Sequence, residues 1–168
     1  MTMKKQLFLL ISLISLQSCI HWEDDDVVYE SNYNPIVQTR EVFENSIELQ
    51  SARPVSNAGK IYVKDQFLFI NEKEEGFHIY NNQDPENPEA ISFLKVPGAT
   101  DLAIRGNTIF VHHYVDLLSI ELNLITNEIL TMTRTSDVFP QLNSPDGFEA
   151  AYFDVSADKI IVGYEPKN

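Results

Sequence analysis

Few side chains in this sequence have the types and spacing to do chemistry. His112-His113 is the most suggestive pair. Neighbours on a strand point to opposite faces, so the two imidazoles cannot readily share one metal ion. The expectation is a pair of polar residues at a strand end. His78, inside FHIYN, is expected to be buried and hydrogen-bonded. Glu72-Lys73-Glu74-Glu75-Gly76 reads as a charged hairpin loop. Calcium requires several oxygens converging on one ion, and adjacent acids on a turn are expected to face water instead. Asp137, Asp146, Glu149 and Asp154 supply further carboxylates. A pair of these could cleave glycosides only at a separation of roughly 5 to 9.5 Å, which the sequence does not fix. The chain has no GxSxG, HExxH or Walker A motif, and its 6 glycines leave little for a phosphate cradle. No catalytic residue, metal site or cofactor is expected.

The elements that must position these residues belong to a chain of 168 residues, enough for one domain. Its formal net charge is −13. A surface this acidic, without a basic stripe, repels phosphate backbones and excludes nucleic acid as a partner. A single cysteine, Cys19, excludes an internal disulfide and any CxxC site.

Cys19 follows a secretory pattern. Lys4-Lys5 form a basic start, and Leu7 to Leu16 (LFLLISLISL) is an apolar run. That run is shorter than the roughly 20 residues of a membrane-spanning helix. Residues 1–18 therefore read as a signal peptide, outside the folded protein. Leu16-Gln17-Ser18-Cys19 resembles a bacterial lipobox, with Gln17 departing from the usual small residue. The resemblance implies that Cys19 becomes the mature N-terminus and is lipidated, palmitate-type acyl chains included. Each buried CH₂ then contributes roughly 0.8 kcal/mol to anchoring. Glu23-Asp24-Asp25-Asp26 resembles the acidic export signal of surface lipoproteins in Bacteroidota-type bacteria. The alternative is a solvated acidic tether. The expected location is the outer membrane, lipid-anchored, at the cell surface.

Residues 19–58 are expected to hold the lipidated cysteine, the tether and one short helix. Val27 to Gln38 (VVYESNYNPIVQ) has no sustained period and reads as an extended linker. Thr39 to Gln50 (TREVFENSIELQ) reads as a helix capped by Thr39, with Phe43 and Ile47 on one face.

From residue 59 the pattern is short apolar runs separated by turns. KIYVK, FLFINE, GFHIYN and AISFLK are followed by DLAI, TIFVH, LLSIE and EILTMTR. Ile61 matches Leu102, Val63 matches Ile104, and Phe69 matches Phe110, all at a spacing of 41. Phe77 matches Leu117 at 40, so one residue is lost at the second hairpin. A period near 40 with four strands per unit predicts β-propeller blades, whose strands are buried on both faces. Asp84-Pro85-Glu86-Asn87-Pro88 must be a turn, because prolines cannot donate to a ladder. Phe148 to Val155 and Lys159 to Tyr164 read as the first two strands of a third unit.

Residues 60–122 resemble the LVIVD-repeat proteins, a propeller-like family of Bacteroidota-type bacteria. The motif corresponds to Phe77-His78-Ile79-Tyr80-Asn81 and the turn Asp84 to Pro88, with a weaker copy at Leu117 to Glu121. REVFENSI (40–47) and GKIYVKDQFLFINE (59–72) resemble the start of its lipoprotein members. The resemblance implies an all-β, partial β-propeller fold of about two and a half four-stranded blades over 59–168, and an envelope location. It brings no catalytic motif. Two and a half blades imply free strand edges and an open apolar face. The favoured expectation is the N-terminal part of a longer product, and the other is a ring of several chains. In function, the sequence points to a non-catalytic, membrane-anchored binding or scaffolding protein with an envelope protein or glycan as partner. The alternative is a fragment of a polysaccharide hydrolase or lyase built from several blades.

Overall fold

Two tight turns with matching backbone geometry set the architecture. Asp65-Gln66 joins β3 (Ala58–Lys64) to β4 (Phe67–Glu72), and Gly106-Asn107 joins β7 (Leu102–Arg105) to β8 (Thr108–His113). The first turn residue has positive φ in both, 53° at Asp65 and 60° at Gly106. That geometry lets a two-residue loop follow the right-handed twist of its strands. The computed structural model in which these turns lie describes residues 29–168, and Ser31–Asn168 form one compact unit.

Each turn opens an antiparallel meander. In sheet I, β5 (Gly76–Asn81) and β6 (Glu89–Lys95) follow β4, and β2 (Glu48–Ser51) adds outside β6, giving the order β2-β6-β5-β4-β3. In sheet II, β9 (Asp116–Asn123) and β10 (Glu128–Thr135) follow β8, giving β10-β9-β8-β7. A third, two-stranded sheet pairs β1 (Tyr33–Thr39) with β11 (Lys159–Pro166). The fold is therefore all-β, with several antiparallel sheets.

The register repeats along with the sequence. Ile61 pairs with Ile70 and Leu102 with Val111; Val63 pairs with Leu68 and Ile104 with Ile109. His78 pairs with Phe93 and Leu118 with Arg134. The residue lost between the units lies where expected, since three residues separate Glu72 from Gly76 and two separate His113 from Asp116. Asp84 to Pro88 lies in the connection between β5 and β6.

The main core lies between the two sheets. Sheet I contributes Phe69, Phe77, Ile79 and Leu94, and sheet II contributes Leu102, Ile109, Val111, Leu118 and Ile120. A second, smaller core gathers Phe43, Val115 and Ile160, with Tyr114 and Val162 packed against it.

Three elements differ from the sequence-based expectations. The supposed linker contains β1, which finds a partner only in β11, far along the chain. The expected helix is confined to α1 (Arg40–Glu44), capped by the Thr39 side chain. Its second half becomes β2, because Glu48 to Ser51 pair with Lys95 to Ser92 and Leu49 packs against the core. Phe148 to Val155 is not a strand but contains a 3₁₀ turn at Ala150–Phe153, ended by Asp154 at φ 49°. On edge strand β3, Ile61 and Val63 are 61% and 66% exposed.

Candidate functional site

The repeat brings two buried polar centres to matching positions. Glu72 ends β4 and His113 ends β8, 41 residues apart. Both side chains are shielded from solvent, at 1% and 0% exposure.

In sheet I the segment before β3 covers Glu72. Its carboxylate accepts from Ser56 N at 3.0 Å, from Ser56 Oγ at 2.9 Å and from the Asn57 amide. His78 Nε2 lies 2.9 Å away and donates to the ionised carboxylate. Burial pushes the Glu72 carboxyl up, but these donors together hold it down at about 2. Glu72 thus departs from the expected water-facing acid of the charged loop, while His78 is buried and hydrogen-bonded as expected. The His78 ring packs on Phe93 with centroids 4.8 Å apart, and the Arg53 guanidinium covers Phe93 at 3.7 Å.

In sheet II the corresponding centre is larger. Asp116, fully buried, accepts two bonds from Arg40 Nη1 at 2.9 and 2.8 Å and one from Arg134 Nη1 at 2.8 Å. The Asp137 amide adds a fourth at 3.0 Å, and the Asp137 carboxylate takes Arg40 Nη2 at 2.8 Å. Burial pushes the Asp116 carboxyl up, yet the Asp137 amide and the two guanidiniums hold it below the usual range. His113 stacks on Phe43 with centroids 3.9 Å apart and planes 2° from parallel. Its burial, with the nearby Arg134 charge, pulls its pKa down to about 3 against the opposing effect of Asp116.

His112 and His113 do point apart, but His113 is not an edge residue. It is sealed in this centre, while His112 is half-buried with its ring 5.9 Å from Phe139. Three acids of the last third have separate surroundings. Asp137 joins the Arg40 pair, Asp146 accepts from Ser31 Oγ at 3.0 Å and Asn32 N at 2.7 Å, and Asp154 forms the left-handed end of the 3₁₀ turn. Among the described residues, no group of three or more His, Cys, Asp or Glu side chains is placed to hold a metal ion.

Sequence reasoning missed this centre because Arg40, Asp116 and Arg134 lie on three distant elements. A usable signal was Asp116 itself, an acid set between Val115 and Leu117 in an apolar run.

A concave surface lies at the other end of the two sheets, beside the tight turns. It is a cleft of about 350 Å³ lined by Phe67, Phe69, Ile104, Ile109, Leu122 and Leu130, with Lys64, Asp65, Asn107 and Asn123 at its rim. An apolar floor with a few polar groups at the rim suits binding of a small or extended ligand.

Cys19, Glu23, Asp24, Asp25 and Asp26 lie outside the described residues. No helix among the described residues is long and apolar enough to cross a membrane. Comparison with family models, curated proteins and solved structures finds no match.

Proposed function

We propose that this chain is a lipid-anchored protein of the outer membrane, displayed at the cell surface. Its sheets form a propeller-type body of the LVIVD-repeat kind that serves as a binding or scaffolding surface for an envelope glycan or protein. The anchor rests on Cys19, placed directly after the signal-like segment, and the display on Glu23 to Asp26. The propeller reading is supported by two four-stranded meanders that share one register at a spacing of 41.

The observation that carries the binding role is where the chemistry-capable groups stand relative to the open surface. His78, His113, Glu72 and Asp116 are committed to internal bonds, whereas the open cleft is apolar with a polar rim. Such a surface holds a ligand without transforming it.

The anchoring part is tested by cell fractionation of the Cys19→Ala variant. The reading requires loss of membrane association, and unchanged association contradicts it. The binding part is tested by titrating purified envelope glycan fragments and following tyrosine fluorescence. Leu130→Asp, at the cleft wall, should reduce any saturable change at least tenfold. A change that Leu130→Asp leaves intact contradicts the cleft as the site.

A further inference from the structure

The packing of the two sheets has a direction. Sheet I presents one face, with Phe69, Phe77 and Ile79, to sheet II. Sheet II receives it on a face that carries Leu102, Ile104, Ile109, Val111 and Ile120. Carried back by the repeat spacing, this receiving face corresponds to Ile61, Val63, Leu68, Ile70 and Tyr80 of sheet I. Cross-strand pairing puts those five side chains on one side, opposite Phe69 and Phe77. None of them belongs to the buried core, and Ile61 and Val63 are more than half exposed.

The inserting face has a counterpart too. Phe69 and Phe77 correspond to Phe110 and Leu117 on the far side of sheet II. Both are half-buried, and Ala103 and Thr133 beside them are exposed. The open parts of the two faces therefore repeat parts of an interface that the chain already makes within itself, while the His78 and Phe93 end of the sheet I face is covered by Arg53 and the segment before β3.

We infer that a second copy of this chain docks head to tail, its Phe110–Leu117 face seated on the Ile61–Val63 face of sheet I. The contact is heterologous, so repetition closes a ring or continues as an open chain of copies. This goes beyond the anchored binding role and does not depend on it.

The test is the mass of the full chain in detergent by sedimentation. Three samples are compared with wild type: Ile61→Lys with Val63→Lys, Ala103→Lys with Thr133→Lys, and an equal mixture of these two double variants. The expected results are a wild type of two or more chains, each double variant monomeric alone, and dimers restored in the mixture. Restoration requires both variants to be folded and each to keep one intact face. A monomeric wild type overturns the inference. So does a variant at Ala103 and Thr133 that still associates, since that indicates a contact of like faces. A mixture that stays monomeric overturns it as well.

Discussion

Arg134 Nη1 stands 3.0 Å from His113 Nδ1, and this one contact fixes the state of the imidazole. A guanidinium can only donate, so Nδ1 must accept and carry no proton. His113 is therefore neutral with its proton on Nε2, which donates to Ser46 Oγ at 3.1 Å. The Ser46 hydroxyl in turn donates to the Phe43 carbonyl at 2.7 Å. Nitrogen chemical shifts of labelled protein should show the Nε2–H form of His113 throughout the neutral range. A positively charged His113 at pH 6 contradicts the arrangement.

The same contact predicts how stability depends on pH. His113 has a folded pKa of about 3 against an ordinary value of 6.5, so the unfolded chain binds a proton that the fold refuses. Its contribution is complete above pH 6.5 and is lost as pH falls toward 3. Glu72, held at about 2 against an ordinary 4.5, contributes above 4.5 and is lost as pH falls toward 2. Thermal melts should show Tm declining below pH 6.5 and more steeply below 4.5. His113→Gln should flatten the upper part of the decline, and an unchanged slope there contradicts the assignment.

Asp116→Asn should be severe, because it leaves the Arg40 and Arg134 guanidiniums facing a neutral amide in a buried centre. The expected loss is about 3 kcal/mol in denaturant unfolding, typical of breaking a buried pair on one side. Asp137→Asn should cost far less, since its carboxylate is 72% exposed. Equal losses for the two contradict the ranking.

Phe43→Ala should remove about 3 kcal/mol, the usual scale for truncating a buried aromatic. Phe43 is fully buried, joins Val115 and Ile160 in the smaller core and stacks on His113. The variant should also expose His113 to titration, raising its pKa toward 6.5. A Phe43→Ala protein with a buried, neutral His113 at pH 5 contradicts the stacking role.

Gly76→Ala tests the longer hairpin. Gly76 has φ 146°, and a Cβ there would clash with the Leu94 carbonyl oxygen. The backbone of β6 must shift to admit it, so a loss of roughly 1–3 kcal/mol is expected. Gly106→Ala meets no atom within 4 Å and should cost less, only its left-handed strain.

The sheets were legible in the sequence because their signals are local. Apolar runs such as FLFI and TIFV are bounded by Asp65-Gln66 and Gly106-Asn107, and the spacing of 41 carries the register from one sheet to the next. What depended on distant partners was not legible. Tyr33 to Thr39 is polar and contains Pro35, and it becomes a strand only against β11. Ile47 and Leu49 fit a helical face, but pairing with β6 prevails over local propensity. Phe148 to Phe153 is rich in strand formers, yet Ser144 Oγ accepts from the Phe148 amide at 2.9 Å and turns the chain. Of the polar centres, only the burial of His78 followed from its apolar neighbours. The role of His113 required knowing that Phe43 and Arg134 converge on it.

The central claim is tested most directly by the mass of the N-terminal peptide of the protein extracted from its native cells. The account predicts a peptide that begins at Cys19 and is heavier than its sequence by the mass of attached acyl chains. A peptide with an unmodified Cys19, whether or not residues 1–18 are removed, would contradict the lipid anchor and with it the proposed place of the protein in the envelope.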